Sequence, residues 1–336
     1  MTDRPKKETT VLYPCRLDLQ NPIQTVHREV ARRLSDSFFI TTFAENPGTV
    51  RSFADRVIEL DATDNKMKKA LPVCREFARG HDLVHTGMGG TKNATTLARI
   101  ASLRGSRIVH THHTTTPSNK AQQQWYAKHA DSVTAVSRYV SDWVAEDLNN
   151  PAVATIPNGV DLSRFSPENA DTDPSIALFV GRLVDRKHPE LVLQIAEKYS
   201  NLRFLIRGKG PLKEFLTARA PKNLEFVDRL SEDKLAKLYS RAAVLLAPYE
   251  QEGFGMVVLE SMASGTPVLG FNDGNLPHLI GEKGGMLCET LNGNEWTNKL
   301  DQIRSDNVDL HPRQVAKVYS WEDIANQYEQ LYTNIL

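Results

Sequence analysis

Cysteine is nearly missing from this sequence. Its three copies, Cys15, Cys74 and Cys288, are an odd number at no metal-ligand spacing, which argues against a disulfide framework and a cysteine-built zinc site. They fit a reducing cytoplasm as packing residues. Long apolar runs are missing too. Nothing approaches the ~20 residues that span a bilayer, and the polar, basic start lacks the apolar core of a signal peptide. Net charge is absent, since 41 Lys and Arg cancel 41 Asp and Glu, so no global field draws the chain to nucleic acid. There is no low-complexity tract and no short repeat. What is present is an ordinary globular composition, 40% hydrophobic and 24% charged, over 336 residues. That length exceeds what a single core usually supports, so two domains are expected.

Short apolar runs alternate with helical patterns along the whole chain. Residues 11–13, 38–40, 57–58, 83–84, 108–109, 133–136 and 154–156 read as strands. Stretches of 3.6-residue period such as 91–103 and 137–147 lie between them, which predicts a mostly parallel sheet with helices on both faces. The first helix has Asn21 as N-cap, Pro22 in its first turn, and an apolar stripe of Ile23, Val26, Val30 and Leu34. Arg28, Arg32 and Arg33 lie on its polar side, as on an interfacial helix, although packing on the sheet explains the stripe as well. A turn at 157–161 and a polar stretch at 166–173 mark the domain boundary, giving domains of about 1–165 and 166–319. A second α/β series follows, with strands at 176–180, 202–206, 224–227, 242–247, 268–271 and 285–288. The chain closes on a helix at 321–336 with Ile324, Tyr328, Leu331 and Tyr332 in one stripe.

Three stretches could carry chemistry. After the strand at 242–247, Pro248 ends the run, Gly253-Phe254-Gly255 forms a loop, and 256–264 begins a helix. Such a corner brings backbone close to a ligand and offers free N–H groups. Glu252 and Glu260, with seven residues between them, could both face the crevice above the strand ends. In the second stretch, Arg182 and Lys187 follow the strand at 176–180 and suit a diphosphate, one as a fork and one as a compact charge. Taken alone, a solvated turn explains them better. The third stretch is His110-Thr111-His112-His113. His110 and His112 point one way on an extended chain and His113 the other, and no carboxylate or cysteine cluster nearby completes a metal site.

The string from strand 242–247 through Glu-Gly-Phe-Gly, Glu260 and Ala-Ser-Gly-Thr-Pro-Val resembles the signature of the retaining nucleotide-sugar glycosyltransferases of the large family four, the glycosyl transferases group 1. The resemblance runs from about residue 133 to the end, and Pro157-Asn158-Gly159-Val160-Asp161 resembles the family's interdomain link. It implies a GT-B fold, with two facing Rossmann-like domains, a cleft between them, and the terminal helix crossing back onto the first domain. It further implies that Arg182 and Lys187 hold the donor's phosphates and Glu260 the ribose. Glu252, with the N–H groups of Gly253, Phe254 and Gly255, would hold the sugar, and His113 would reach it from the other domain. His110 is then structural and His112 open. Gly208-Lys209-Gly210-Pro211 resembles the family's Gly-x-Gly-Pro turn. The chain departs from the family in four places. Residues 14–22 contain no glycine where a Gly-Gly pair is usual, Asp228 replaces glycine, Tyr249 replaces serine, and His278 replaces glutamate.

The resulting expectation is a metal-independent, retaining glycosyltransferase without cofactor, using a UDP-, GDP- or ADP-sugar and a sugar, lipid or other small acceptor. It is expected in the cytoplasm, with a weak peripheral contact at the inner membrane face left open. Two rivals are a GT-B epimerase acting on UDP-N-acetylglucosamine and a catalytically inactive GT-B subunit that binds a partner. The Glu-Gly-Phe-Gly corner weighs against the first, and the presence of Arg182, Lys187, Glu252 and Glu260 against the second.

Overall fold

Apolar runs with no polar alternation become strands covered on both faces, the pattern of a parallel sheet. The computed structural model describes residues 7–19, 21–61, 63, 66–87, 94–167, 173–305 and 308–336. The chain divides into two units, Met1–Gly159 with Trp321–Leu336, and Val160–Ser320. The division falls at Gly159, ahead of the boundary drawn at 165, because residues 160–165 are tied into the second unit. Phe165 packs its ring 6.1 Å from that of Tyr239, and Arg313 donates to the carbonyls of Leu162 (3.0 Å) and Phe165 (2.8 Å).

Among the described residues the first unit holds seven strands: β1 (Thr10–Arg16), β2 (Phe39–Ala44), β3 (Arg56–Glu59), β4 (Leu83–Gly87), β5 (Arg107–His112), β6 (Ser132–Ala135) and β7 (Ala154–Thr155). All pair in parallel, in the order β3-β2-β1-β4-β5-β6-β7. Val11, Leu12 and Tyr13 in the middle of this sheet are wholly buried. The helix Pro22–Leu34 starts where Asn21 accepts the N–H of Gln24 at 3.1 Å, and it buries Val26, Val30 and Leu34. Two of its arginines are paired with acids. Glu29 pairs with Arg32 (2.6 Å) and Arg33 (2.7 Å), and Arg33 also meets Glu322 (2.9 Å).

The helix Trp321–Ile335 belongs to the same unit and buries Ile324, Tyr328 and Tyr332. The Tyr332 hydroxyl shares hydrogen bonds with the Tyr13 hydroxyl (2.9 Å) and His85 Nδ1 (2.5 Å). The helix expected over 91–103 is present as Ala94–Leu103, its first three residues lying outside the described ones.

In the second unit, β8 (Asp173–Val180), β9 (Arg203–Arg207), β10 (Leu224–Val227), β11 (Ala242–Ala247), β12 (Val268–Phe271) and β13 (Gly285–Cys288) form a parallel sheet. Its order is β10-β9-β8-β11-β12-β13. The strand order reverses between β8 and β11, which is where open α/β sheets form their ligand crevice. No helix among the described residues is long and apolar enough to cross a membrane.

Candidate functional site

The loops that leave β8 and β11 are laced together at that reversal. The N–H of Glu250 donates to the Arg186 carbonyl (2.9 Å), His188 Nε2 meets the Glu250 carboxylate (2.9 Å), and the Tyr249 hydroxyl donates to the Val180 carbonyl (2.7 Å). His188 sits at φ +43° and Gln251 at φ +51°, left-handed conformations that bend both loops sharply. His188, through its ring, and Arg186, through its carbonyl, therefore brace the loop.

Lys187 and Glu252 come together at this corner as an ion pair. Lys187 is only 8% exposed, so its ammonium has lost most of its water. Burial lowers the pKa of that ammonium, while the Glu252 carboxylate works to raise it. The charge also lies 3.7 Å from the centroid of the Tyr249 ring. Arg182, five residues before Lys187, is exposed, and its side chain makes no hydrogen bond or ion pair among the described residues. It is the cation of the pair that is free to meet a ligand.

The Gly-x-Gly-Pro turn packs directly on this phosphate-suited loop. Leu183 donates its N–H to the Lys209 carbonyl (2.9 Å), and Leu212 returns one to the Leu183 carbonyl (3.2 Å). A side-chain carbon at Gly208 would stand 2.1 Å from the Gly181 carbonyl oxygen, and one at Gly210 would stand 2.2 Å from that of Leu183. Only glycine permits that approach.

Gly255 caps the helix Met256–Ala263 at φ +102°, and a side chain there would press on Leu279 at 2.9 Å. Gly253 and Phe254 are buried. The Phe254 ring turns toward Tyr319 (6.1 Å), so its side chain is a packing group and only its backbone can serve a ligand. Asn275 fastens the loop by donating twice, from its N–H to the Glu252 carbonyl and from Nδ2 to the Phe254 carbonyl, each at 2.9 Å.

Glu260 is half-buried within the helix and accepts the Tyr239 hydroxyl at 3.2 Å. Burial pushes its carboxyl up to about 7, against the opposing effect of that hydrogen bond. Arg207 and Arg164 favour its charge and Glu232 opposes it.

His113 follows β5 in the first unit, with its ring 5.8 Å from His27 and its Nε2 without a hydrogen-bond partner among the described residues. His110 stacks on Tyr126 at 3.9 Å and bonds Thr86 (2.7 Å) and Gln123 (3.1 Å), as a structural residue does. His112 lies beside His110 and Trp143, 4.7 and 6.2 Å away. Burial keeps all three neutral by pulling their pKa values down. Among the described residues no three His, Cys, Asp or Glu side chains gather as a metal site.

Tyr239, His27 and the network in the glycine-free first loop were not found by sequence reasoning. In that loop the buried Asp18 carboxylate takes Arg16 (3.0 Å) and the N–H groups of Glu45 (3.2 Å) and Asn46 (3.0 Å). Arg16 is further paired to Glu45 at 2.7 Å. The Arg-Leu-Asp spacing was a visible signal, whereas nothing local to Tyr239 or His27 marks either residue.

Comparison with known proteins covers nearly the whole chain. Residues 163–331 match the family described as glycosyl transferases group 1, and residues 25–164 match glycosyltransferase family 4. A D-inositol 3-phosphate glycosyltransferase of Corynebacterium urealyticum is 29% identical over 321 residues, covering 79% of this chain and 74% of that protein. Among solved structures, a sucrose-phosphate synthase from Thermosynechococcus elongatus aligns with a TM-score of 0.79 at 20% identity, covering 97% of this chain and 99% of its own. Anabaena HepE, solved in complex with UDP and glucose, aligns with a TM-score of 0.78 at 14% identity over 97% and 100%. At these identities the structures speak for the fold.

Proposed function

The chain belongs to the glycosyl transferases group 1 and has their GT-B fold, and from that premise we propose that it moves a sugar, with retention of configuration, from a nucleoside diphosphate to a sugar, lipid or other small acceptor. One observation carries the reading. At the strand-order reversal, Lys187 and Glu252 meet across the loops leaving β8 and β11, and Arg182 stands free five residues before Lys187. A diphosphate is the ligand that two cations at strand ends suit, and a sugar hydroxyl is what the carboxylate suits.

In this proposal Arg182 and Lys187 neutralise the charge that grows on the departing diphosphate, which stabilises the transition state more than the ground state. Donor binding releases Glu252 from Lys187, since the phosphate oxygens take over the ammonium. Glu252 and the N–H groups of Gly253, Phe254 and Gly255 then hold the sugar. Glu260 accepts from the ribose hydroxyls, and His113 is assigned a contact to the donor sugar. The two cations occupy the role that a divalent metal fills elsewhere, so no metal or cofactor is required. UDP-sugars head the candidate donors, because HepE was solved with UDP and glucose.

Incubation with a panel of UDP-, GDP- and ADP-sugars, following nucleotide release with and without mixed acceptors, tests this. Turnover that gives a product of the donor's anomeric configuration supports it. An inverted product, or conversion of UDP-N-acetylglucosamine without any acceptor, would replace it.

A further inference from the structure

We propose that Tyr249 is a positioning residue for the diphosphate site, its ring forming a fixed seat for the Lys187 ammonium; this rests on the reading of Lys187 as a phosphate ligand. The ring stands 3.7 Å from Nζ. It is 1% exposed and held at two points. Its hydroxyl donates to the Val180 carbonyl at 2.7 Å, and Phe179 meets it edge-on at 5.7 Å and 86°. Both anchors lie at the end of β8, so the seat is carried by the sheet and not by the mobile end of a side chain.

An ammonium has three N–H donors and no acceptor. A ring attracts it through the negative face of the π system without consuming any of them. Glu252 takes a hydrogen bond, but Glu252 is also the group proposed to turn to the sugar. Tyr249 is the partner that stays. It holds the buried charge while the donors are handed from Glu252 to phosphate oxygens. A serine at this position would leave the ammonium tethered to Glu252 alone. The tyrosine is thus matched to a lysine that is unusually dry, at 8% exposure.

The test replaces Tyr249 with phenylalanine and with mono-, di- and trifluorinated phenylalanine, in the native chain and in Lys187→Met. Fluorine drains the negative ring face at nearly constant shape. UDP, GDP and ADP are the probes, each titrated by calorimetry. In the native chain, affinity for the diphosphate that binds should fall stepwise with fluorine count, to about tenfold at three fluorines. In Lys187→Met the series should be flat. A flat series in the native chain, with Lys187→Met clearly weakened, would overturn the seat and leave the phosphate role standing. If Lys187→Met binds all three as the native chain does, Lys187 is no phosphate ligand, and both readings fall together.

Discussion

The Tyr239 hydroxyl donates to Glu260 Oε2 at 3.2 Å, inside a corner dry enough to hold that carboxyl at about 7. A carboxylate accepts from ribose hydroxyls and a protonated carboxyl does so poorly. Nucleoside diphosphate affinity should therefore rise between pH 6 and pH 8, measured by calorimetry. Glu260→Gln should weaken it by about tenfold or more, the size of a charge-assisted hydrogen bond, and flatten the pH dependence. A 2′,3′-dideoxy analogue should be blind to the substitution. Stability runs the other way. The folded state holds this proton where the unfolded chain, with an ordinary carboxyl, has lost it, so Glu260 contributes less stability as pH rises from the ordinary range through about 7. Glu260→Gln should melt above the native protein at pH 8.

Arg182→Ala or Lys187→Ala should lower kcat by roughly a hundredfold, as loss of an oxyanion donor does, rather than only raise KM. Turnover should persist in excess EDTA. Loss on chelation, restored by Mg²⁺ or Mn²⁺, would assign the neutralising charge to a metal instead.

Gly210→Ala places a carbon 2.2 Å from the Leu183 carbonyl oxygen and 2.7 Å from its nitrogen, all backbone that cannot rotate away. The loop carrying Arg182 must shift. A stability loss of about 1–3 kcal/mol is expected from overpacking, read from urea unfolding, together with weaker diphosphate binding. Gly281→Ala, where nothing stands within 4 Å but φ is +56°, serves as the comparison: it should cost stability and leave binding alone.

The first unit buries His27, His85, His110 and His112, with His113 half-buried beside them. Burial lowers all five, His27 and His112 to about 4. Unfolded histidines take up protons from about pH 6.5, so the unfolded state gains protons first and stability falls as pH drops from there toward 4. The melting temperature should decline steeply between pH 7 and pH 5. His27→Leu, which removes a ring whose two nitrogens have no hydrogen-bond partner among the described residues, should shallow that decline. An unchanged slope would show that His27 does not share in it.

The parallel sheets were legible because both faces of each strand are covered, so residues such as 242–247 and 268–271 stand out as unbroken apolar runs and match β11 and β12 at both ends. The Glu252–Glu260 corner was legible because its glycines and prolines fix the turn. Other features depend on residues far apart in sequence. The Lys187–Tyr249 contact joins two loops through the pairing of β8 with β11, and Tyr239 meets Glu260 only because their helices adjoin. The helix Lys66–Arg79 was not singled out, because it has Pro72 inside and a run of cations that blurs its apolar face. Equal emphasis on Glu252 and Glu260 also hid a difference, since one is paired to a cation and the other is kept close to its neutral form by burial.

The helix Trp321–Ile335 completes a unit whose first strand is laid down some three hundred residues earlier. On the ribosome, the second unit is one continuous segment, 160–320, whereas the first, begun earlier, waits for Tyr332 to reach Tyr13 and His85. The order of synthesis and the order of completion are thus inverted: the half made first is finished last. Until then it carries an open seam along Tyr13 and His85, and a nascent chain stalled before residue 321 would display that seam to chaperones.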